Sequence, residues 1–137
     1  MSLSGYELVT ATPEIADYIR LRHVAGLAPK TEEAARKGLS STLFAAQIIH
    51  DATVVGMGRV VGDGGCFFQI VDMAVIPAHQ GKGLGKWIMA TLVSWLRDHA
   101  PVSACISLIA DGKARHLYAQ YGFKPTAPES IGMSLVD

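Results

Sequence analysis

The sequence has few of the residues that mark disulfide-rich or metal-binding proteins. It has two cysteines, Cys66 and Cys105, without a Cys-x-x-Cys pair, and five histidines without a His-Glu-x-x-His stretch. We therefore predict neither a disulfide framework nor a protein-bound metal. Both cysteines are expected to be reduced and buried, as small hydrophobic residues.

The sequence also lacks an excess of charge and a long hydrophobic run. Twelve Lys and Arg balance twelve Asp and Glu, so the positive field typical of nucleic-acid-binding proteins is absent. No apolar run approaches the roughly 18 residues that suggest a membrane span, and the first residues do not resemble a signal peptide. We predict a cytoplasmic protein that binds neither nucleic acid nor membrane.

The composition suits one packed domain. Of 137 residues, 50% are hydrophobic and 18% are charged, which is enough to bury a core. We predict a single domain over residues 1–137. Hydrophobic periodicity and turn residues predict an α/β fold with a mixed sheet.

The first predicted elements are a short strand and two helices. The strand covers Tyr6–Val9. The first helix is expected to be capped by Thr12 and to reach about Ala25, and the second to be capped by Thr31 and to end near Gly38. The later predicted elements are a hairpin of Leu43–Ile49 and Thr53–Val61, a buried central strand in Cys66–Ile76, a helix over Gly83–His99, a buried strand over Ala104–Ile109, a helix over Gly112–Tyr121 and a last strand near Ile131–Val136.

A glycine-rich segment, Gln80–Lys86, lies between the buried strand and the long helix. Each glycine would weaken a helix turn by about 1 kcal/mol relative to alanine, so three in five residues indicate a need for bare backbone. Free amides at a helix start attract anions, and Lys82 and Lys86 add two cations. A diphosphate site is the prediction, and a tight turn without a ligand is the alternative.

Two other phosphate motifs fit this segment poorly. A P-loop requires Ser or Thr after its lysine, whereas Trp87 follows Lys86. A dinucleotide fingerprint requires Gly-x-Gly-x-x-Gly, whereas the spacing here is Gly81-x-Gly83-x-Gly85.

The stretch Val71–Lys86 resembles the acetyl-CoA motif of the GNAT superfamily of N-acetyltransferases. Gln80, Gly83 and Gly85 match its Gln/Arg-x-x-Gly-x-Gly/Ala signature. Downstream, Asp111–Phe123 is similar to the family's Asn-x-x-Ala-x-x-Leu-Tyr-x-x-x-Gly-Phe segment, with Asp in place of Asn. Both motifs occur in the family's order and spacing.

The resemblance covers roughly residues 44–133 and implies the GNAT fold. That fold has a mixed, mostly antiparallel central sheet, splayed between strands 4 and 5 and flanked by helices. It implies direct acetyl transfer from acetyl-CoA, without a metal, to the primary amine of a small molecule, a protein lysine or an N-terminus. Ile106–Asp111 and Ser130–Met133 are similar to bacterial and plastid relatives that acetylate arylalkylamines or protein lysines. A homodimer is common in similar proteins.

The resemblance also implies roles for individual residues. The amides of residues 81–86 would hold the pyrophosphate, and the backbone of residues 73–75 would pair with the pantetheine. The general acid would be Tyr118, with Tyr121 as the alternative, and the oxyanion donor would be the N–H of Ala74 or Met73. The implied cofactor-binding residues are Met73, Ala74, Val75, Gln80, Gly81, Lys82, Gly83, Leu84, Gly85, Lys86, Asp111 and Tyr118.

Asp72 is a carboxylate in an otherwise apolar strand. It must be paired, exposed at a cleft or raised in pKa. Because an alkylamine with a pKa of about 10.4 must lose a proton before it reacts, Asp72 is a candidate general base, and a water chain is the alternative. Arg20, Arg22 and His23 lie where acceptor-binding helices occur in the family that the sequence resembles, but they are expected to be solvated charges on a helix surface.

Two other functional classes remain compatible with the sequence. A non-catalytic acyl-CoA-binding sensor or regulatory module would keep the glycine-rich segment, and a nucleotide-phosphate-binding domain would leave the pantetheine groove unused.

Overall fold

A computed structural model describes residues 3–136. In this part of the chain, five strands form one sheet, and helices pack on both of its faces. The elements in chain order are β1 Glu7–Val9, α1 Ile15–Val24, α2 Glu32–Leu39, β2 Phe44–His50, β3 Thr53–Gly62, β4 Phe67–Val75, α3 Leu84–His99, β5 Cys105–Leu108 and α4 Ala114–Ala119, with a 3-10 turn at Pro77–His79. The predicted α/β class is confirmed.

The strands follow one another across the sheet in the order β1-β2-β3-β4-β5. The first four are antiparallel neighbours, and β5 runs parallel to β4. Pairing between β4 and β5 ends at Ile70 and Leu108, although β4 continues along β3 to Val75. The predicted splaying between strands 4 and 5 is therefore confirmed.

Local chemistry explains both hairpin turns. Asp51 and Ala52 have φ values of 48° and 61°, in the left-handed region that a two-residue hairpin turn requires. Between β3 and β4, the Asp63 carboxylate accepts the N–H groups of residues 65–67 at 2.8 to 3.0 Å. These bonds, above all that from Phe67, lower the pKa of Asp63.

The helices bury the two faces of the sheet separately. The apolar stripe Leu84, Ile88 and Leu92 of α3 packs against β2, β3 and β4. On the other face, α1 contributes Leu21 and β3 contributes Met57 to a second cluster with α2. Among residues 3–136, no helix is both long and apolar enough to cross a membrane.

Helices α2 and α3 begin where the sequence predicts. The Thr31 hydroxyl accepts the N–H of Ala34 at 3.1 Å and so caps α2. This helix continues one residue past Gly38, to Leu39. Gly83, with a φ of 85°, is the N-cap residue of α3.

The predicted start of α1 is wrong. Its N-cap residue is Glu14, without a side-chain cap, rather than Thr12. The Gln47 side chain of β2 donates to the carbonyl of Ala11 at 2.9 Å. This contact holds the chain before α1 against the sheet, so the helix starts later.

The predicted burial of β5 and of both cysteines is also wrong. Cys66 and Cys105 are free and exposed, and Ile106 is exposed as well. β5 is an edge strand whose only sheet neighbour among residues 3–136 is β4. The N–H of Cys105 donates to the carbonyl of Cys66 at 2.8 Å, so the two residues are adjacent where this strand pair begins.

The strand predicted near Ile131–Val136 does not form. The described part of this segment is irregular, and its Ile131, Met133 and Leu135 side chains are exposed. Alternating apolar residues favour a strand only when a neighbouring strand can pair with their backbone, and the described sheet ends at β5.

Candidate active site

The separation of β4 from β5 opens a cavity of about 560 Å³. It extends from the last paired residues, Ile70 and Leu108, toward α1, the α1–α2 loop and α4. Its lining includes the charged residues Arg22, Lys30, Arg59, Asp72 and Asp111 and the tyrosines Tyr18 and Tyr118. Both catalytic residues predicted from the sequence, Asp72 and Tyr118, therefore line one cavity.

A β-bulge bends β4 at the cavity. Met57 and Arg59 of β3 pair with Ala74 and Val71 of β4, so β4 carries one extra residue between these pairs. Asp72 has a φ of 60°, which is uncommon for a non-glycine residue. Bulges interrupt the ladder and redirect side chains, and this bulge directs β4 along the cavity.

Gly58 allows close packing beside the bulge. A Cβ atom at this position would lie 2.7 Å from Sδ of Met73 and 2.7 Å from Cγ2 of Ile88. Both distances are too short for real contacts, so only glycine lets α3 and the bulged strand approach β3 this closely.

The Asp72 carboxylate forms the centre of a buried ion-pair cluster. Its side chain is 5% exposed. Oδ1 accepts hydrogen bonds from Arg22 Nη1 and, at 2.9 Å, from the Tyr18 hydroxyl, while Oδ2 accepts from Arg59 Nε at 2.8 Å. Of the three environments that the sequence allowed, Asp72 occupies the paired one.

Arg22 and Arg59 tie this cluster to the surrounding backbone. Arg22 Nε and Nη2 donate to the carbonyl of Ala28 at 2.9 and 2.6 Å. Arg59 Nη1 donates to Thr42 Oγ1 at 2.6 Å and to the carbonyl of Gly38 at 3.3 Å. The cluster thus joins α1, the loop after it, the end of α2, β3 and β4.

The prediction that Arg22 is a solvated helix charge is wrong, since it is only 8% exposed. His23 is exposed as predicted, and Arg20 pairs with Asp17 at 3.1 Å. The sequence reasoning missed Tyr18 and Arg59. The available signal was that Arg59, like Asp72, stands in an apolar strand, where a lone charge is costly.

The tyrosine beside Asp72 has a perturbed acidity. Burial, followed by the charge of Asp72 and the hydrogen bond to it, raises the pKa of Tyr18. The phenol therefore stays protonated at neutral pH and donates to the carboxylate.

The glycine-rich segment forms the corner between β4 and α3. Gly81 and Gly83 have φ values of 79° and 85°, a region that favours glycine. The first hydrogen bond of α3 runs from the N–H of Trp87 to the carbonyl of Gly83 at 3.1 Å. Within the described chain, the N–H groups of residues 81–86 have no protein acceptor, as expected at a helix start.

The remaining predicted residues of this corner have different environments. Gln80 Nε2 donates to the carbonyl of Val75 at 2.9 Å and so fixes the corner to the end of β4. The Leu84 side chain is buried in the core, so only its backbone faces the corner. Lys82 and Lys86 are exposed and add positive charge to that of the helix start.

The two tyrosines of the second motif are placed differently. Tyr118 is 9% exposed and lines the cavity, and its hydroxyl has no hydrogen-bond partner among residues 3–136. Burial, and then the charge of Asp111, raise the pKa of Tyr118. The Tyr121 hydroxyl instead donates to the carbonyl of Lys86 at 2.9 Å. Tyr118 is thus the tyrosine available to a ligand.

The arrangement separates two kinds of recognition. An anion can bind backbone amides at the start of α3, while the cavity offers the Tyr118 phenol, the bulged strand β4 and the cationic side chains of Arg22, Lys30 and Arg59. Among residues 3–136, no three His, Cys, Asp or Glu side chains lie close enough to share a metal ion.

Comparison with known proteins places this geometry among acetyltransferases. A family model, described as "Acetyltransferase (GNAT) domain", matches residues 39–125. The uncharacterized N-acetyltransferase ycf52 of Porphyra purpurea is 37% identical over 70 residues, covering 51% of this chain and 39% of the relative. Its counterpart in Gracilaria tenuistipitata var. liui is 32% identical over 78 residues, covering 57% and 41%. The match thus spans about two fifths of each curated relative.

Solved structures share the fold over nearly the whole chain. SA2161 of Staphylococcus aureus, described as a protein of unknown function and "probable acetyltransferase", has a TM-score of 0.91 and 42% identity over 96% of this chain and 99% of that protein. A "predicted acetyltransferase with acetyl-CoA" from Clostridium acetobutylicum has a TM-score of 0.72 and 17% identity over 94% and 96%. At that identity, the second likeness concerns the fold alone.

Replacing Asp72 by Asn should destabilise the protein strongly. Asn keeps the shape and tolerates a positive φ, but it leaves two buried guanidinium groups without their carboxylate. The expected loss is about 3 to 5 kcal/mol in the free energy of unfolding, measured by urea denaturation. The control, Asp17→Asn, breaks a more exposed ion pair and should cost less than about 1 kcal/mol. Equal losses in the two variants would contradict the proposed importance of the buried cluster.

Proposed function

Because the chain belongs to the GNAT family of acetyltransferases, we propose that it transfers an acetyl group from acetyl-CoA to a primary amine. The acceptor is a small molecule, a protein lysine or an N-terminus, and transfer is direct, within a ternary complex. The observation that carries this proposal is the row of backbone amides without protein acceptors at residues 81–86, in the corner between β4 and α3.

The residues of the corner fit the pyrophosphate of acetyl-CoA. The free amides and the start of α3 supply hydrogen-bond donors and a partial positive charge, and Lys82 and Lys86 supply two further cations. Gly81 and Gly83 have open space where a Cβ would lie, so a phosphate can approach the backbone. The proposed amide contacts include those of Leu84 and Gly85, while Gln80 holds the corner to β4.

The pantetheine arm is proposed to lie along the free edge of β4. Beyond Ile70, this strand pairs with β3 but no longer with β5, so the edge formed by Met73, Ala74 and Val75 can pair with an amide-containing chain. Asp111 lines the same cavity and is proposed as a further contact. The Clostridium protein that shares this fold was solved with acetyl-CoA, which is consistent with use of this cofactor.

The chemistry requires three functions from the protein. The neutral amine attacks the thioester carbonyl, so that a C–N bond forms, the C–S bond breaks and the thiolate leaves. The developing oxyanion needs an N–H donor, and the amide of Met73 or Ala74 beside the bulge is proposed. The departing thiolate needs a proton, and the amine must lose one.

Tyr118 is proposed as the general acid. Its raised pKa keeps the phenol protonated at neutral pH, and its hydroxyl is free to bond to the sulfur. A free thiol has a lower pKa than this phenol, about 8.5 for cysteine. Proton transfer from Tyr118 to a fully released thiolate is therefore unfavourable. The hydroxyl must therefore be hydrogen-bonded to the sulfur while the C–S bond breaks.

The contacts of Asp72 suit a positioning role better than the base role proposed from the sequence. Three donors already occupy its two oxygens, and accepting the amine proton would disrupt two ion pairs. We propose that Asp72 holds the bulge and that water in the cavity removes the amine proton.

Substituting Gly83 tests the diphosphate site. Gly83→Asp and Gly83→Asn have nearly equal side-chain shape, and both residue types tolerate a positive φ better than most. Only Asp places a negative charge at the corner. Isothermal titration should show that Gly83→Asp binds acetyl-CoA at least about tenfold more weakly than Gly83→Asn, equivalent to about 1.4 kcal/mol. Equal affinities for the two variants would argue against phosphate binding at this corner.

Substituting Tyr118 separates catalysis from binding. Tyr118→Phe should lower kcat by about 10²-fold or more with little change in acetyl-CoA affinity, followed as CoA release across an amine panel. Tyr121→Phe should retain most of kcat because that hydroxyl is bonded to Lys86. If Tyr118→Phe keeps the wild-type kcat, Tyr118 is not the acid. If the wild type binds acetyl-CoA but acetylates no amine, the chain is a non-catalytic acyl-CoA-binding module.

A further inference from the structure

The charged residues around the cavity are not balanced. Three cationic side chains, Arg22, Lys30 and Arg59, line it together with two carboxylates, Asp72 and Asp111. Asp72 contacts two guanidinium groups at once, so it offsets only one of their charges. Asp111 is the carboxylate that influences Tyr118, in the second motif. The wall formed by α1, the α1–α2 loop and β3 is therefore net cationic.

Arg59 has donors that the protein leaves unused. It is 6% exposed, and its Nε and Nη1 groups bond to Asp72, Thr42 and Gly38. Within residues 3–136, its Nη2 group has no protein acceptor, yet no buried side-chain nitrogen or oxygen lacks a partner. Nη2 is therefore not fully buried, and Arg59 is one of the residues that line the cavity.

The other two cationic residues of the cavity, Arg22 and Lys30, differ in whether the protein already binds their donors. All three nitrogens of Arg22 donate to Ala28 or Asp72, so Arg22 is held by the protein. Lys30 lines the cavity, is exposed and forms no salt bridge within the described chain. Within the described chain, Nη2 of Arg59 and the ammonium group of Lys30 are thus the two cationic groups of the cavity lining without a protein acceptor.

We propose that the acceptor is an amine that also carries an anionic group, a carboxylate or a phosphate, which binds Arg59 Nη2 with Lys30 nearby. This inference rests on the proposed function and narrows its acceptor to an anionic small molecule. A nearly buried guanidinium with free N–H groups is stabilised by an anion, and charge-assisted bonds of this kind are strong. Tyr118 lines the same cavity, so the proposed anion site and the proposed general acid share one cavity.

The same charges disfavour other acceptors. A lysine-rich peptide would bring further cations against Arg22, Lys30 and Arg59, and like charges at close range reduce binding. A neutral amine would leave the Nη2 donors of Arg59 bonded only to water.

Matched amine pairs test the proposal. 4-(Aminomethyl)benzoate against benzylamine tests the carboxylate, and glucosamine 6-phosphate against glucosamine tests the phosphate, each pair having similar amines. A lysine-rich peptide tests the polycationic alternative. CoA release should give a kcat/KM at least about tenfold higher for the anionic member of one pair, mainly through a lower KM. The pair that shows the preference identifies the anionic group.

Variants of the cationic wall should remove this preference. Arg59→Lys and Lys30→Gln should each raise KM for the anionic amine by a larger factor than KM for its neutral counterpart, so that the ratio between the two falls. Lys30 is exposed, so Lys30→Gln remains informative if Arg59→Lys folds poorly. The matched control, Lys37→Gln, changes an exposed lysine of α2 that pairs with Glu33 at 3.2 Å and should alter neither KM.

The outcomes separate this inference from the proposed function. Equal kcat/KM within both pairs, or the highest value for the peptide, would overturn the inference and leave acetyl transfer standing. Titration of each amine into the CoA complex gives a second readout. Preferential binding of an anionic amine without CoA release would support the anion site and overturn the proposed activity, whereas neither binding nor release would overturn both.

Discussion

The end of β4–β5 pairing at Ile70 and Leu108 is the constraint on which the site depends. Parallel strands that continued side by side would satisfy each other's backbone groups and leave no cavity between them. Instead β4 continues past Ile70 with β3 as its one described neighbour, and it bends at the bulge of Asp72. The end of this pairing thus creates both the free edge of β4 and the cavity beside it.

The buried cluster around Asp72 holds the bulge of β4 in one geometry. A positive φ at a non-glycine residue costs free energy of the order of 1 to 3 kcal/mol and persists where its surroundings enforce it. Here two guanidinium groups and the Tyr18 hydroxyl hold the carboxylate. Because Arg22 comes from α1 and Arg59 from β3, the helix layer, the sheet and the bulge are held together by one group of charges.

The backbone geometry of the corner between β4 and α3 could be predicted from the sequence because it is local. Gln80, Gly83 and Gly85 act through a strand-to-helix corner a few residues long, and glycine spacing reports its backbone directly. The splaying of the sheet and the choice of Tyr118 as a candidate site residue came from the resemblance carried by two motifs in the expected order. The diphosphate role of the corner stays a prediction.

The surroundings of Asp72 could not be predicted because they depend on contacts between distant elements. Whether Asp72 is paired or free is decided by Arg22, 50 residues away, and by Arg59 on the neighbouring strand. The bulge is a property of the register between β3 and β4.

A crystal structure with CoA is the decisive measurement: we expect the diphosphate on the amides of residues 81–86 and the thiol end between Tyr118 and the Asp72 bulge. CoA bound outside the β4–β5 opening, with those amides uncontacted, would contradict the proposed site.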